Sequence, residues 1–174
     1  MDLVMSVLQA GTVAPDFSLP DAQGHGHSLS NLRSVGLLGL TFFKVSCPTC
    51  QSSLHFINRL ASKRTDTARV WTISQYPPRH TKHFNKDLEI RLPQLFDSEE
   101  TGFPVSEAYG IDMVPTTFLI DESRWIKYVS VSWDRAEFVT MPSALASTAG
   151  LSKLKLFEPD AYVDEFRLGC DAKN

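Results

Sequence analysis

The sequence predicts an α/β domain in which helices cover both faces of a mixed central sheet. Two apolar runs, at 35–43 and 68–75, are separated by a segment with helical spacing, which is typical of a parallel strand–helix–strand unit. Two later strand patterns are joined by a short polar turn and predict an antiparallel hairpin. Because 174 residues with 43% hydrophobic composition can bury one core, we expect a single domain over residues 1–174.

The first half of the chain predicts a hairpin followed by the parallel part of the sheet. Residues 15–32 hold two short apolar pieces around an Asp-Ala-Gln-Gly-His-Gly turn, which predicts an N-terminal β-hairpin. The run VGLLGLTFF is apolar on both faces and predicts the central strand, and after Pro48 the spacing becomes helical until about Arg64. A strand at 68–75 and a polar helix at 79–88 follow.

The second half predicts shorter elements. LPQLFD is a short strand candidate, and SEETGFPVSEAYGI opens like a helix that Pro104 interrupts. TTFLID and WIKYVSVS predict two strands about a turn at 122–124, and a last helix is expected over 134–149. The tail has no clear period. We therefore expect the core over about 11–150 and a C-terminal extension over 151–174.

Charge and hydropathy exclude several partners. A net charge of −3 without a Lys/Arg run disfavours nucleic acid and acidic membranes, and the longest apolar run is about half the ~20 residues of a membrane span. The N-terminus, MDLVMSVLQAGTVAPDF, lacks the basic and unbroken apolar regions of a signal peptide. As written it predicts a cytoplasmic location, although removal of a leader from an exported protein would leave the same sequence. The expected partner is a protein or a small molecule.

The chemistry is concentrated in the stretch FFKVSCPTCQSSL. Three cysteines, Cys47, Cys50 and Cys170, are too few for a disulfide scaffold. If the helix begins at Pro48, Cys47 is its N-cap residue, and proline is tolerated at the first helical position. Unpaired backbone N–H groups and the helix dipole would then lower the pKa of Cys47 from about 8.5 toward the range of activated thiols. The sequence therefore predicts Cys47 as a nucleophile.

Cys50 is predicted to complete the exchange. It lies three residues further along the same helical face, where it could attack a mixed disulfide on Cys47 and release the partner thiol. Pro48 and Thr49 lie between the two cysteines and influence how well the thiolate is stabilised. The predicted catalytic residues are Cys47 and Cys50, and their dithiol is the only cofactor expected.

Two other interpretations of the cysteine pair are a zinc site and two inert core cysteines. A structural zinc site needs four ligands, and the nearest second pair, His80 and His83, has a shorter gap than usual. His25 and His27 in the Gly-rich turn have no third ligand near them in the sequence. Free cysteines are often buried, but an N-cap position is unusual for an inert one. We predict no metal.

A second constellation, MVPTTFLID, places Pro115 before a strand, 65 residues after Cys50. Alone, such a proline marks only the start or edge of a strand. Together with the CxxC pair and the order of the elements, the chain resembles the thioredoxin superfamily. Within it, GTVAPDFSLPDAQGHGHSLSNL, FFKVSCPTCQSSL and YGIDMVPTTFLID are most similar to TlpA/ResA and AhpC/TSA-type redoxins, over about residues 11–150.

The resemblance implies a thioredoxin-like three-layer α/β/α sandwich and a thiol-disulfide oxidoreductase. It implies that Pro115 is cis and lies against the CPTC turn, with Val114 pairing with a cysteine-containing substrate strand. Pro48, Thr49, Val114 and Pro115 are accordingly the expected substrate-binding residues. The expected partners are a protein or small-molecule disulfide substrate and a thiol reductant.

The chain also departs from these relatives. Thr41 and Ser53 stand where similar proteins carry acids, so proton transfer at Cys50 could use water, Lys44 or an acid placed elsewhere. Leu40 and Lys44 replace the proline and threonine of the peroxide-activating PxxxTxxC motif, which disfavours the alternative of a thiol peroxidase. A redox-inert binding module is the other alternative.

Cys170 is left over by this scheme. It lies in RLGCDAKN near the C-terminus, and could be a third redox thiol that reaches Cys47 or a partner. A leftover cysteine in an exposed tail more often has no role in catalysis. The sequence leaves both interpretations open.

Overall fold

The computed structural model shows an α/β fold whose elements follow the predicted order. The described residues are 6–33, 36–62, 68–137, 140 and 164–173. The elements are β1 (Ser18–Pro20), β2 (Gly26–Ser28), α1 (Leu29–Leu32), β3 (Leu37–Phe43), α2 (Pro48–Ser62), β4 (Ala68–Ser74), α3 (Pro78–Asp87), β5 (Gln94–Phe96), a 3-10 turn (Glu99–Thr101), α4 (Pro104–Ala108), β6 (Met113–Val114), β7 (Thr116–Ile120), β8 (Ile126–Val131), β9 (Trp133–Asp134), β10 (Phe166–Arg167) and β11 (Cys170–Asp171).

Five strands form the central sheet in the order β5-β4-β3-β7-β8. The strands β3, β4 and β5 are parallel, whereas β7 runs antiparallel to β3 and β8 antiparallel to β7. In the chain, β3 is followed by α2 and β4 by α3, and β6 comes just before the hairpin β7–β8. The predicted mixed sheet is therefore present, with β3 at its centre.

Both faces of β3 are covered, as its apolar sequence predicts. Phe42 and Phe43 are consecutive and so point to opposite faces of the sheet. Phe42 packs against Tyr109, with ring centroids 5.5 Å apart, and Phe43 stacks on Phe84 of α3 at 5.6 Å. Every residue of β3 is buried.

The predicted N-terminal hairpin is formed by β1 and β2. Its turn is organised by Asp21, whose Oδ1 accepts the backbone N–H groups of Gln23 and His25, each at 2.9 Å. The other carboxylate oxygen contacts the imidazoles of His25 and His27 at 3.3 and 3.0 Å. The contact with His27 is the main reason why the pKa of Asp21 lies well below its usual range. The two histidines thus pair with a turn carboxylate.

Pro104 divides the predicted helical segment into a 3-10 turn and α4. Phe103, just before it, adopts a left-handed conformation with φ of 54°, which ends one piece and starts the next. The buried Asp97 carboxylate accepts the backbone N–H groups of Val105 and Ser106 at 3.2 and 2.5 Å. This carboxylate satisfies N–H groups in the first turn of α4.

The C-terminal segment, which has no clear period in the sequence, contains two short strands. β10 pairs antiparallel with β9, and β11 pairs antiparallel with β6. Most of the helix expected over 134–149 lies outside the described residues. The segment 164–173 therefore returns to the sheet beside the residues that precede β7.

Candidate active site

The CxxC pair lies where β3 ends and α2 begins. Because α2 begins at Pro48, Cys47 is its N-cap residue. The Cys47 N–H donates to the Lys44 carbonyl at 3.3 Å, and the Cys47 carbonyl accepts the first helical bond from Gln51 at 3.1 Å. Cys47 and Cys50 are both fully buried. The sequence pattern placed both sulfurs correctly at the positive end of a helix of 15 residues.

The Cys47 sulfur is surrounded by hydrogen-bond donors. The Cys50 thiol contributes most, and the backbone N–H of Cys50 donates to the same sulfur at 3.4 Å. The Cys170 thiol and the backbone N–H of Thr49 also donate, and together these groups outweigh the effect of burial. The pKa of Cys47 is thereby lowered to about 5. This shift favours the thiolate form of Cys47 at neutral pH.

Cys50 has the opposite environment. Its burial, together with the hydrogen bond to Cys47 and the charge on that residue, raises the pKa of Cys50 well above its ordinary value. The backbone N–H of Lys44 acts against this shift but does not overcome it. Cys50 therefore keeps its proton while it donates to the Cys47 thiolate. This asymmetry suits one attacking and one resolving thiol.

The two positions where related proteins carry acids hold hydroxyl groups that are already hydrogen-bonded. Thr41 Oγ1 lies 3.0 Å from Thr117 Oγ1 in the buried centre of the sheet. Ser53 Oγ donates to the Cys50 carbonyl at 3.2 Å. Neither side chain replaces a carboxylate as proton acceptor for the Cys50 thiol.

Val114 and Pro115 lie beside the cysteine pair. The peptide bond between them is cis, and both residues are buried. The Cys47 sulfur lies 3.6 Å from the Val114 carbonyl oxygen, to which the protonated thiol can donate. The fold thus brings the loop before β7 against the N-terminus of α2.

The two residues between the cysteines differ in their surroundings. Pro48 is exposed, whereas Thr49 is almost fully buried. Thr49 Oγ1 donates to the Leu168 carbonyl at 2.7 Å. Its partner is an extended segment of the C-terminus. Of the four expected substrate-binding residues, Val114 contacts the Cys47 sulfur and Thr49 contacts the C-terminal segment.

Cys170, for which the sequence left two interpretations open, lies beside the cysteine pair. It is paired with Val114 across β11 and β6, and it is only partly exposed. Burial, followed by contact with the Cys47 sulfur and its charge, raises the pKa of Cys170 to about 11. The signal in the sequence was the third cysteine itself, since pairing between segments so far apart leaves no local pattern.

The loop after β4 holds the C-terminal segment in place. Gln75 Nε2 donates to Ser106 Oγ at 3.0 Å, and Gln75 Oε1 accepts the Lys173 N–H at 3.1 Å. The neighbouring Tyr76 hydroxyl lies 3.1 Å from Ser46 Oγ, just before the CxxC pair. This loop contacts both the C-terminal segment and the residue that precedes the CxxC pair.

The part of the chain that the structure describes contains no group of three or more His, Cys, Asp and Glu side chains that could hold a metal ion. Within the same residues, no helix combines the length and apolar character needed to span a bilayer. The three described cysteines are free thiols.

Comparisons by family model, by sequence and by structure all give similarities to thiol redox proteins. A family model described as the AhpC/TSA family matches residues 10–129. The chain is 28% identical over 126 residues to the thiol-disulfide oxidoreductase ResA of Geobacillus kaustophilus, covering 71% of this chain and 70% of the relative. The solved structure assigned as thiol:disulfide interchange protein DsbE from Chlorobium tepidum has a TM-score of 0.72 at 23% identity, covering 82% of this chain and 99% of that one. StoA from Bacillus subtilis has a TM-score of 0.61 at 20% identity, covering 75% and 98%. These similarities confirm the predicted thioredoxin-like α/β fold.

The cytoplasmic location predicted from the N-terminus is wrong by the same comparison. The ResA, DsbE and StoA relatives are membrane-anchored or extracytoplasmic thiol-disulfide oxidoreductases. The prediction rested on the composition of the first residues alone, and this composition does not distinguish a cytoplasmic protein from an exported one whose leader has been removed.

Proposed function

The chain belongs to the AhpC/TSA family, and from this premise we propose that it is a thiol-disulfide oxidoreductase whose Cys47–Cys50 pair exchanges with disulfides. One observation carries the proposal. The Cys47 sulfur caps α2 and accepts the backbone N–H of Cys50 at 3.4 Å, while Cys50 stays protonated beside it. A stabilised thiolate next to a neutral thiol is the arrangement that stepwise exchange needs.

In the first step the Cys47 thiolate attacks one sulfur of a substrate disulfide, R–S–S–R′. A Cys47–S–R bond forms, the S–S bond of the substrate breaks, and R′S⁻ leaves. Cys50 then loses its proton and attacks the Cys47 sulfur, so that a Cys47–Cys50 disulfide forms and RS⁻ leaves. The substrate gains two electrons and the protein loses them. Two thiols of the reductant regenerate the dithiol by running both steps backwards: the first forms a mixed disulfide with Cys47 and releases Cys50, and the second releases Cys47 and leaves the reductant as a disulfide. The same reverse sequence oxidises a dithiol substrate.

The proposed binding site for a substrate polypeptide is the edge of β6 beside the CxxC turn. The Val114 backbone would pair with the substrate strand, and Thr49 Oγ1 would donate to a substrate carbonyl. Support comes from the extended C-terminal segment, which makes both kinds of contact here. Pro115 and the exposed Pro48 would border the substrate on either side. Protein disulfides are therefore the substrate class that fits this edge.

Hydrogen peroxide is the weaker substrate. A peroxidase would use a hydroxyl four residues from a proline to orient the peroxide, and Lys44 and Leu40 occupy those positions. Lys44 Nζ donates to the Asp171 carbonyl at 2.5 Å. The chain's relatives are also named as thiol-disulfide oxidoreductases.

Turnover of insulin disulfides by the reduced protein with dithiothreitol tests the proposal. We expect turnover that is abolished in Cys47→Ser and strongly reduced in Cys50→Ser, with much slower consumption of hydrogen peroxide by the wild type. Faster turnover of peroxide than of insulin would support the peroxidase instead. No thiol-dependent turnover of either compound would favour the inert binding module.

A further inference from the structure

The C-terminal segment lies along the edge that the proposed function assigns to a substrate. β11 runs antiparallel to β6, with Cys170 opposite Val114 and Asp171 opposite Met113. Added-strand recognition of a peptide uses the same main-chain pairing. The chain therefore carries its own cysteine-containing strand at the position where the cysteine of a substrate would be presented.

Contacts on both sides of Cys170 hold this strand. Before it, the Leu168 carbonyl accepts from Thr49 Oγ1 at 2.7 Å. After it, the Asp171 carbonyl accepts from Lys44 Nζ at 2.5 Å. Both donor side chains are buried: Lys44 lies in the turn after β3, and Thr49 lies in the first turn of α2. Cys170 is thus placed by the same elements that place Cys47.

Gly169 determines how closely the strand approaches. A Cβ atom at this position would overlap the Val114 carbonyl oxygen and contact Met113. The Gly169 N–H donates to Ser132 Oγ at 2.9 Å, which fixes the backbone on its other side. Only glycine allows the strand to lie this near to β6, and the close approach brings the sulfur of the next residue to Cys47.

The three sulfurs form one cluster. The Cys170 thiol hydrogen-bonds to the Cys47 sulfur, and the backbone N–H of Thr49 reaches both sulfurs. Burial raises the pKa of Cys170 first, and the contact and charge of Cys47 raise it further. When Cys47 enters a disulfide its charge disappears, so the hydrogen bond to the Cys47 thiolate and the repulsion by its charge no longer raise the pKa of Cys170. Lys44, whose charge favours the Cys170 thiolate, remains.

We propose that Cys170 is a third redox residue of this centre, and that it resolves a mixed disulfide on Cys47 by forming an internal Cys47–Cys170 disulfide. This inference rests on the proposed function, which supplies the mixed disulfide. The segment leaves the edge of β6 when a substrate disulfide enters, and it returns once the substrate strand has left that edge while still bonded to Cys47 as Cys47–S–R. Cys170 attacks the Cys47 sulfur, the Cys47–S–R bond breaks, and RS⁻ leaves and takes up the proton that Cys170 lost.

The internal disulfide then passes to the CxxC pair. Cys50 attacks the Cys47 sulfur, a Cys47–Cys50 bond forms, and Cys170 leaves as a thiolate that is reprotonated. Two thiols are oxidised and one substrate disulfide is reduced, as in the direct route. Cys170 competes with Cys50 for the first resolution because it is partly exposed, whereas Cys50 is fully buried.

The test uses the full chain with Cys50→Ser, treated in the reduced state with oxidised glutathione. We expect glutathione to add transiently and then leave, so that the product has lost two hydrogens and peptide mapping shows Cys47 linked to Cys170. The matched variant, Cys50→Ser with Cys170→Ser, should keep glutathione on Cys47. Glutathione retained equally by both variants would overturn the inference. No addition to Cys47 in the double variant would instead overturn the proposed function.

Two further variants guard against misfolding and chance proximity. Cys50→Ala repeats the experiment with a smaller side chain, and circular dichroism establishes that each variant is folded. Adding Gly169→Ala to Cys50→Ser should slow formation of the internal disulfide, because the tail can no longer approach β6. Gly26→Ala is the control, since a Cβ there meets Ser18 only at an ordinary 3.6 Å. An unchanged rate with Gly169→Ala would contradict placement by the strand.

Discussion

Cys170 lies opposite Val114 across an antiparallel strand pair, with its sulfur against that of Cys47. The C-terminus thereby covers Cys47, the proposed nucleophile, which is fully buried when the segment is docked. Reaction of Cys47 with any external disulfide requires this segment to move. Its stability on β6 therefore sets how often the active site is open.

The substitution Gly169→Ala should open the site. The added Cβ overlaps the Val114 carbonyl oxygen, and an overlap that costs ~1–3 kcal/mol raises the open population about 5- to 150-fold. We expect Cys47 to react with iodoacetamide faster by a factor in this range, measured by peptide mass mapping at pH 7. Gly26→Ala should leave the rate unchanged. If both variants react like the wild type, the docked segment does not limit access.

The reactivity of Cys47 should follow a titration with a midpoint near pH 5. Hydrogen bonds from Cys50, Cys170 and the helix N-terminus lower the pKa of Cys47 to about 5, so the thiolate predominates above this pH and is lost below it. Alkylation rates of the reduced protein should rise as pH increases through this value and then level off. The far-ultraviolet absorbance of the thiolate, followed against pH, checks the same midpoint and does not depend on access of the reagent to Cys47.

The contribution of Cys170 to this midpoint is separable. In Cys170→Ala one donor to the Cys47 thiolate is removed, so the pKa of Cys47 should rise. The absorbance titration detects this shift even if the tail also moves. A midpoint that stays near 5 in this variant would mean that the Cys50 and Thr49 donors suffice alone.

Local sequence patterns were enough to predict the central sheet and the cysteine pair. The apolar run that ends at Phe43, the proline at helix position 48 and the short turn before β8 each encode their structure within a few residues. The position of Pro115 beside CPTC depended on resemblance to a family. The strand, the helix start and the turn are predictable because the residues that determine each of them are neighbours in the chain.

The docked C-terminus could not be predicted in this way. β11 is two residues long, and it is held by contacts with Thr49, Val114 and Gln75, which belong to three different segments. No period appears in so short a strand. The role of Gly169 becomes visible only when the Val114 carbonyl is known to face it.

Asp97→Asn should destabilise the fold near the site. The buried carboxylate accepts two backbone N–H groups of α4, and an asparagine offers only one carbonyl oxygen, so one N–H loses its acceptor. We expect a loss of ~1–3 kcal/mol in the free energy of unfolding, measured by urea denaturation of the reduced protein. The adjoining Ser106 hydroxyl accepts from Gln75, so docking of the tail should weaken as well.

Asp121→Asn is the control for this loss. The backbone N–H groups of Ser123 and Trp125 both donate to Asp121 Oδ1 at 2.9 Å, so the amide oxygen of an asparagine can keep both hydrogen bonds. The other oxygen, Oδ2, pairs with the exposed Lys127 ammonium at 3.2 Å, and loss of such a surface ion pair costs little. The loss should therefore be smaller than for Asp97→Asn, and equal losses would show that the second backbone acceptor of Asp97 does not stabilise the fold.

A peptide copy of the C-terminal strand should distinguish glycine from alanine before its cysteine. The peptide RLGCDAK, linked through its cysteine to nitrothiobenzoate, can pair with β6 as Cys170 and its neighbours do, whereas RLACDAK would place a Cβ against the Val114 carbonyl. With the reduced Cys170→Ala protein, release of nitrothiobenzoate from the glycine peptide should be faster by at least about fivefold, corresponding to ~1 kcal/mol of overlap. The remaining tail competes with both peptides equally, so the ratio of the two rates is independent of its docking. Release of nitrothiobenzoate from both peptides by dithiothreitol is the reference for their intrinsic chemical reactivity. Equal rates of release by the protein would mean that substrates approach Cys47 without pairing to β6.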